Sequence, residues 1–178
     1  AASDTVSITA DFDEAMTSTP TISISGTSIS NQVMTKIIGG SGLGSHTLLG
    51  ADIDGEAGND NSGRSVSFSS DGSRVAIGAP VNGGNGSASG HVRIYDYNGS
   101  AWTQLGTDID GEAAGDLSGW SVSLSSDGSR VAIGAKDNAG NGSDSGHVRI
   151  FKYQVISGTA TWTQLGLDID GEAANDYS

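Results

Sequence analysis

Short apolar runs recur along the chain, separated by polar, Gly-rich stretches, and most of them alternate with a period of two. Ser65-Val66-Ser67-Phe68-Ser69 alternates small polar with apolar residues, the period of a half-buried strand. Ser70-Asp71-Gly72-Ser73 follows and predicts a turn in which Gly72 takes positive φ. Arg74–Ala79 reads as a second strand, so the pair predicts a hairpin. Asn82–Ser87 reads as loop, and Gly90–Tyr97 alternates again as a third strand. Asn98-Gly99-Ser100 turns the chain into a fourth strand, Ala101–Leu105. Four antiparallel strands in succession is the blade arrangement of β-propellers.

The same pattern then repeats. Asp-Ile-Asp-Gly-Glu-Ala occurs at Asp52–Ala57, Asp108–Ala113 and Asp168–Ala173. Residues 52–95 align with 108–151 over 44 positions, of which 34 are identical. The second copy is longer by four residues between Tyr153 and Trp162, so this point is expected at an exposed loop tip. The predicted fold is therefore all-β: tandem four-stranded antiparallel blades of a β-propeller, about two blades and the start of a third. The expected division is a β segment and linker over 1–45, blade repeats over 46–105 and 106–165, and the start of a third copy over 166–178. That copy stops mid-unit at Ser178, which suggests an excerpt of a longer array. The alternatives are a β-solenoid or a string of separate β-domains. A rung of 56 residues is long for a small β-helix, and four strands alone bury little core.

Composition sharpens this picture. Gly is 28 of 178 residues and Pro only 2, which favours tight turns over long helices. With 21 acids against 8 bases the net charge is −13, so nucleic acid and anionic membrane surfaces are not expected partners. No apolar run approaches the ~20 residues of a membrane span, so no membrane insertion is expected. There is no Cys, which excludes disulfides and thiol chemistry.

Twelve of the acids fall in three equivalent clusters: Asp52, Asp54, Glu56 and Asp60; Asp108, Asp110, Glu112 and Asp116; Asp168, Asp170, Glu172 and Asp176. Several carboxylates on a Gly-containing loop suit Ca²⁺, so each cluster is a candidate Ca²⁺ loop. The Gly falls at position 4 rather than 6, so the EF-hand pattern is not met. The competing reading is a solvated turn whose Asp side chains cap backbone amides. Gly140–Asp144 has a faint likeness to Ca²⁺-binding Gly-rich nonapeptides, and a plain loop is the simpler reading. His91 and His147 occupy equivalent positions and are expected to be structural, because a catalytic group is seldom duplicated in each blade. Trp102 and Trp162 also recur, as blade-core or inter-blade aromatics, with sugar stacking as the alternative. No Gly-x-Ser-x-Gly elbow, paired zinc His or phosphate loop is present, and the Asp-Gly turn lacks the Asp-box spacing of sialidase blades. No catalytic residue is assigned.

Trp102–Leu105, Asp110–Asp116, Ser118–Val122, Val131–Ala135 and Gly146–Phe151 follow one another in an order that resembles the FG-GAP repeat, the blade of integrin-α-type propellers and of many bacterial surface proteins. The resemblance spans residues 48–178, with Ser-Gly at 62–63 and 118–119 in place of Phe-Gly. Residues 5–25 resemble the front half of a bacterial Ig-like module. The family's usual Ca²⁺ site lies in an Asp-rich first hairpin. Here that hairpin is only Ser-Ser-Asp-Gly-Ser-Arg, at 69–74 and 125–130, so that site does not carry over. The resemblance implies a secreted or cell-surface bacterial protein. The expected function is a non-enzymatic binding, adhesion or scaffolding module that meets a protein or glycan through its blade loops. The alternatives are a carbohydrate-active propeller enzyme and a Ca²⁺-stiffened spacer. Unpaired blade edges would also let such a fragment associate with itself.

Overall fold

The structure is a computed structural model, and it describes residues 47–177. The expectations for residues 1–45, including the Ig-like reading of residues 5–25, lie outside the described residues. Among the described residues all ten elements are strands, arranged as two antiparallel sheets. The first sheet holds β1 (Ser65–Phe68), β2 (Arg74–Ala79), β3 (His91–Tyr97), β4 (Trp102–Gln104) and β5 (Ile109–Asp110). The second holds β6 (Ser118–Leu124), β7 (Arg130–Ala135), β8 (His147–Ile156), β9 (Thr159–Gln164) and β10 (Ile169–Asp170). Among the described residues no helix is long and apolar enough to cross a membrane.

Each sheet is a four-row blade whose outer row is broken in two. β1, β2 and β3 pair in sequence order, and β4 and β5 then both pair with β3 at different heights. β6 to β10 repeat this plan with the same register: Gly78↔Val92 in the first sheet becomes Gly134↔Val148 in the second. Ile109 and Asp110, which stand in the second copy of the sequence, thus complete the first sheet, and the acidic stretch carries the chain from the outer row of one blade to the inner row of the next.

The Asp-Gly hairpins form as expected. Gly72 has φ +70°, its N–H donates to the Ser69 carbonyl at 3.0 Å, and the Asp71 carboxylate accepts from the Ser69 hydroxyl at 2.6 Å and the Ser73 N–H at 3.1 Å. The four-residue insertion also falls at a hairpin tip, but it lengthens the ladder rather than the loop. Gln154↔Thr161, Val155↔Ala160 and Ile156↔Thr159 add three rungs, closed by Ser157-Gly158 with φ +51° and +82°. Two consecutive positive-φ residues are the turn whose twist matches the strands it joins.

The sheets pack face to face, β1 and β2 lying against β6. Ala76, Val92, Ile94 and Ile109 from the first sheet join Leu124, Val131, Ile133, Phe151 and Trp162 from the second in one core. Gly78 shows how close the approach is: a Cβ there would stand 2.2 Å from the Gly119 carbonyl oxygen. Serines on the inner rows bond across the interface. Ser65 Oγ donates to the Gly119 carbonyl at 2.8 Å, and the Leu124 N–H donates to Ser67 Oγ at 2.9 Å. In β1 the half-buried serines are thus the side that faces the neighbouring backbone, while Val66 and Phe68 on the other side are exposed.

Candidate functional site

Stretches that read as plain loop in the sequence clamp one repeat to the next. Asn85 Nδ2 donates to the carbonyls of Gly111 and Glu112 at 2.9 and 3.0 Å, and Asn141 repeats this on Gly171 and Glu172 at 2.8 and 3.1 Å. The Trp162 indole N–H donates to the Leu105 carbonyl of the preceding blade at 2.9 Å, which makes it an inter-blade aromatic. Trp102 does the same to Leu49 at 2.8 Å and stacks at a tilt with Tyr97. Together with Ala51–Asp54, Tyr95 and Ala101, Trp102 lines a shallow pocket.

The acidic loops divide their labour. The last acid of each cluster closes the loop on itself: Asp60 accepts from the Ala57 N–H at 3.1 Å, Asp116 from Ala113 at 2.8 Å and Asp176 from Ala173 at 2.7 Å. Asp60 and Asp116 also accept from the side chains of Asn82 and Asn138, at 2.8 and 3.1 Å, and are almost fully buried. Asp54 and Asp110 give their main-chain carbonyls to Arg93 and Arg149, each at 2.7 Å. Partial burial pushes the Asp110 carboxyl above the usual carboxylate range, and the charge of Asp108 adds to the effect. The Asp170 carboxylate packs over Gly140, where a Cβ would meet it at 2.8 Å. Asp52 lines the Trp102 pocket, and Glu172 serves through its carbonyl in the Asn141 clamp.

Glu56, Asp108, Glu112 and Asp168 are placed differently. At the start of β3, His91 lies in register between Ala79 of β2 and Asp110 of β5, with its side chain 1% exposed. Its Nδ1 stands 3.5 Å from Asp108 Oδ2 and 3.7 Å from Glu56 Oε2, and it has no hydrogen-bond partner among the described residues. The carboxylate oxygens that face away from His91 are held by other groups. Gln104 Nε2 donates to Asp108 Oδ1 at 2.6 Å, and an Arg93 guanidinium nitrogen lies 3.8 Å from Glu56 Oε1. Asn82 Nδ2 also reaches Glu56 Oε2, at 3.4 Å.

The second group copies the first. His147 Nδ1 stands 3.7 Å from Asp168 Oδ2 and 3.9 Å from Glu112 Oε2. Gln164 donates to Asp168 Oδ1 at 2.6 Å, and Arg149 lies 3.6 Å from Glu112 Oε1. Neither ring nitrogen of His147 has a hydrogen-bond partner among the described residues, nor does Arg149 Nε. In each group the imidazole nitrogen and the two carboxylate oxygens lie within 4.8 Å of one another. Acids from two different sequence clusters therefore meet around one buried His, and each meeting point bridges consecutive repeats. Sequence reasoning treated both His as structural, and missed this. The signal available was that Gly-His-Val-Arg-Ile and Asp-Ile-Asp-Gly-Glu recur together with one period.

Two sheets built from one repeat, each clamped to the next by copied contacts, define a repeat protein of the β-propeller type. The family model of the FG-GAP repeat matches residues 107–151, within the second repeat. No curated protein matches the chain.

Proposed function

We propose that this chain is a non-enzymatic binding or scaffolding module of a secreted or cell-surface bacterial protein, and that its blade loops meet a protein or glycan partner. The observation that carries this reading is duplication. The His–carboxylate groups, the Asn clamps and the Asp-closed loops each have a twin one repeat away, down to the Gln104–Asp108 and Gln164–Asp168 bonds at the same 2.6 Å. A catalytic centre needs one asymmetric set of groups with distinct roles. Twinned sites suit a surface that offers the same contact more than once, where linked weak contacts add avidity.

A carbohydrate-active enzyme is the rival reading, and the pocket beside Trp102 is the feature that favours it. The test is to present the full chain to immobilised surface glycans and extracellular-matrix proteins, and to chromogenic glycosides in parallel. Saturable binding without turnover supports the proposal. Turnover of a glycoside that a single substitution at Asp52 abolishes would overturn it.

A further inference from the structure

We infer that each pair of consecutive repeats builds a site for a divalent transition metal of the zinc type, with Glu56, His91 and Asp108 as ligands in one and Glu112, His147 and Asp168 in the other. Three observations converge on this. First, His91 and His147 are buried, and the Nδ1 atom of each is aimed between two carboxylate oxygens without a hydrogen-bond partner among the described residues. A buried polar nitrogen left in this way is unfavourable unless something satisfies it. Second, the spacing fits an ion. Ligands about 2.0–2.2 Å from a tetrahedral centre stand roughly 3.3–3.6 Å apart. The His91 separations of 3.5 and 3.7 Å lie close to that range and the His147 separations of 3.7 and 3.9 Å lie a little beyond it, while all four are too long for hydrogen bonds.

Third, a supporting shell is present in both copies. The outward carboxylate oxygens are occupied by Gln104 and Arg93, or by Gln164 and Arg149. Oδ2 of the Asp and Oε2 of the Glu face the imidazole, as outer-shell donors arrange for metal-binding carboxylates. In the first group Oε2 also accepts from Asn82 at 3.4 Å, which leaves its other lone pair for the ion. The His selects the metal. Imidazole nitrogen suits zinc and its neighbours, whereas Ca²⁺ and Mg²⁺ prefer all-oxygen sets. Two carboxylates and one guanidinium leave one net negative charge, which a divalent cation more than offsets. Glu56 and Asp108 are partly exposed, so an ion has a path in from solvent. Because Asp108 and Asp168 come from the following copy in each case, the metal would pin one repeat to the next.

The test uses the full chain, stripped with EDTA and dialysed, then titrated with Zn²⁺ by calorimetry and with Co²⁺ by visible absorption. Two equivalents of Zn²⁺ are expected, with Co²⁺ giving the intense visible bands of a tetrahedral centre. Asp108→Asn and Asp168→Asn should each remove one equivalent. Gln104→Ala should weaken one site by tenfold or more while circular dichroism stays unchanged. In the unmutated chain, long-range ¹⁵N–¹H spectra should show the Nδ1 resonances of His91 and His147 shift on adding Zn²⁺. The proposal fails if the stripped chain takes up less than one equivalent, or if Ca²⁺ competes on equal terms. It also fails if the imidazole spectra show two protonated rings that Zn²⁺ leaves unmoved, the signature of a plain charge cluster.

Discussion

Asp71 shows how much one turn residue can do. Its carboxylate accepts from the Ser69 hydroxyl and from the Ser73 N–H and hydroxyl, and these bonds hold its pKa at about 2, below the ordinary 3.8. Asp127 is lowered in the same way by Ser125 and Ser129. Hydrogen bonds to the ionised form favour it in the fold. The stabilisation is complete above the ordinary carboxylate range, and it is lost as pH falls from about 4 to about 2. A ¹³C carboxyl titration should place the Asp71 midpoint near 2, and Ser69→Ala should move it upward. A midpoint at 3.8 in the unmutated chain would contradict the turn geometry. Gly78 matters for the opposite reason, since it is the missing side chain that counts. Gly78→Ala would drive a Cβ into the Gly119 carbonyl and should cost about 1–3 kcal/mol. At the equivalent Gly134 the nearest obstacle is the Ser121 hydroxyl at 2.4 Å, which a rotamer change can clear. Thermal melts should therefore show Gly134→Ala as the milder variant.

Among the elements, strands and hairpins were legible in the sequence, because period-two alternation and the Asp-Gly turn are local signals. β1, β2, β3 and β4 lie within the four stretches that read as strands. β5 was not legible. It is two residues long, and its Ile109-Asp110 sits inside an acidic run that reads as loop. Its pairing with His91 and Val92 is a long-range event that no local pattern encodes. That pairing brings Asp108 to His91, so the same blind spot hid the Glu–His–Asp groups. Grouping the acids by sequence cluster joined Glu56 to Asp60, and both do accept from Asn82, but the fold also brings Glu56 and Asp108 to either side of His91. Asn85 reads as plain loop for a similar reason, since its acceptors lie in the following repeat.

For the molecule as a whole, the two copies show what each blade face is built to receive. Leu124 is 8% exposed under the first blade, while its counterpart Phe68 is 55% exposed. Ile109 is 6% exposed beside the second blade, while its counterpart Ile169 is 57% exposed. The faces that carry Phe68 and Ile169 thus match the two halves of the interface that the chain already makes, and such head-to-tail surfaces associate without closing on themselves. Sedimentation equilibrium should show a weight-average mass that rises with concentration, and Phe68→Ser should suppress the rise. A monomer at all concentrations would contradict this.

The central claim is that the two repeats are one interlocked unit, held by contacts that cross between the sheets. Peptide-resolved hydrogen exchange on the full chain, with and without Gly78→Ala, tests it most directly. The account predicts that the substitution speeds exchange in β7 and β8 as much as in β2 and β3, because loosening the interface weakens both sheets together. Faster exchange confined to the first sheet would show that the repeats stand independently, and would contradict it.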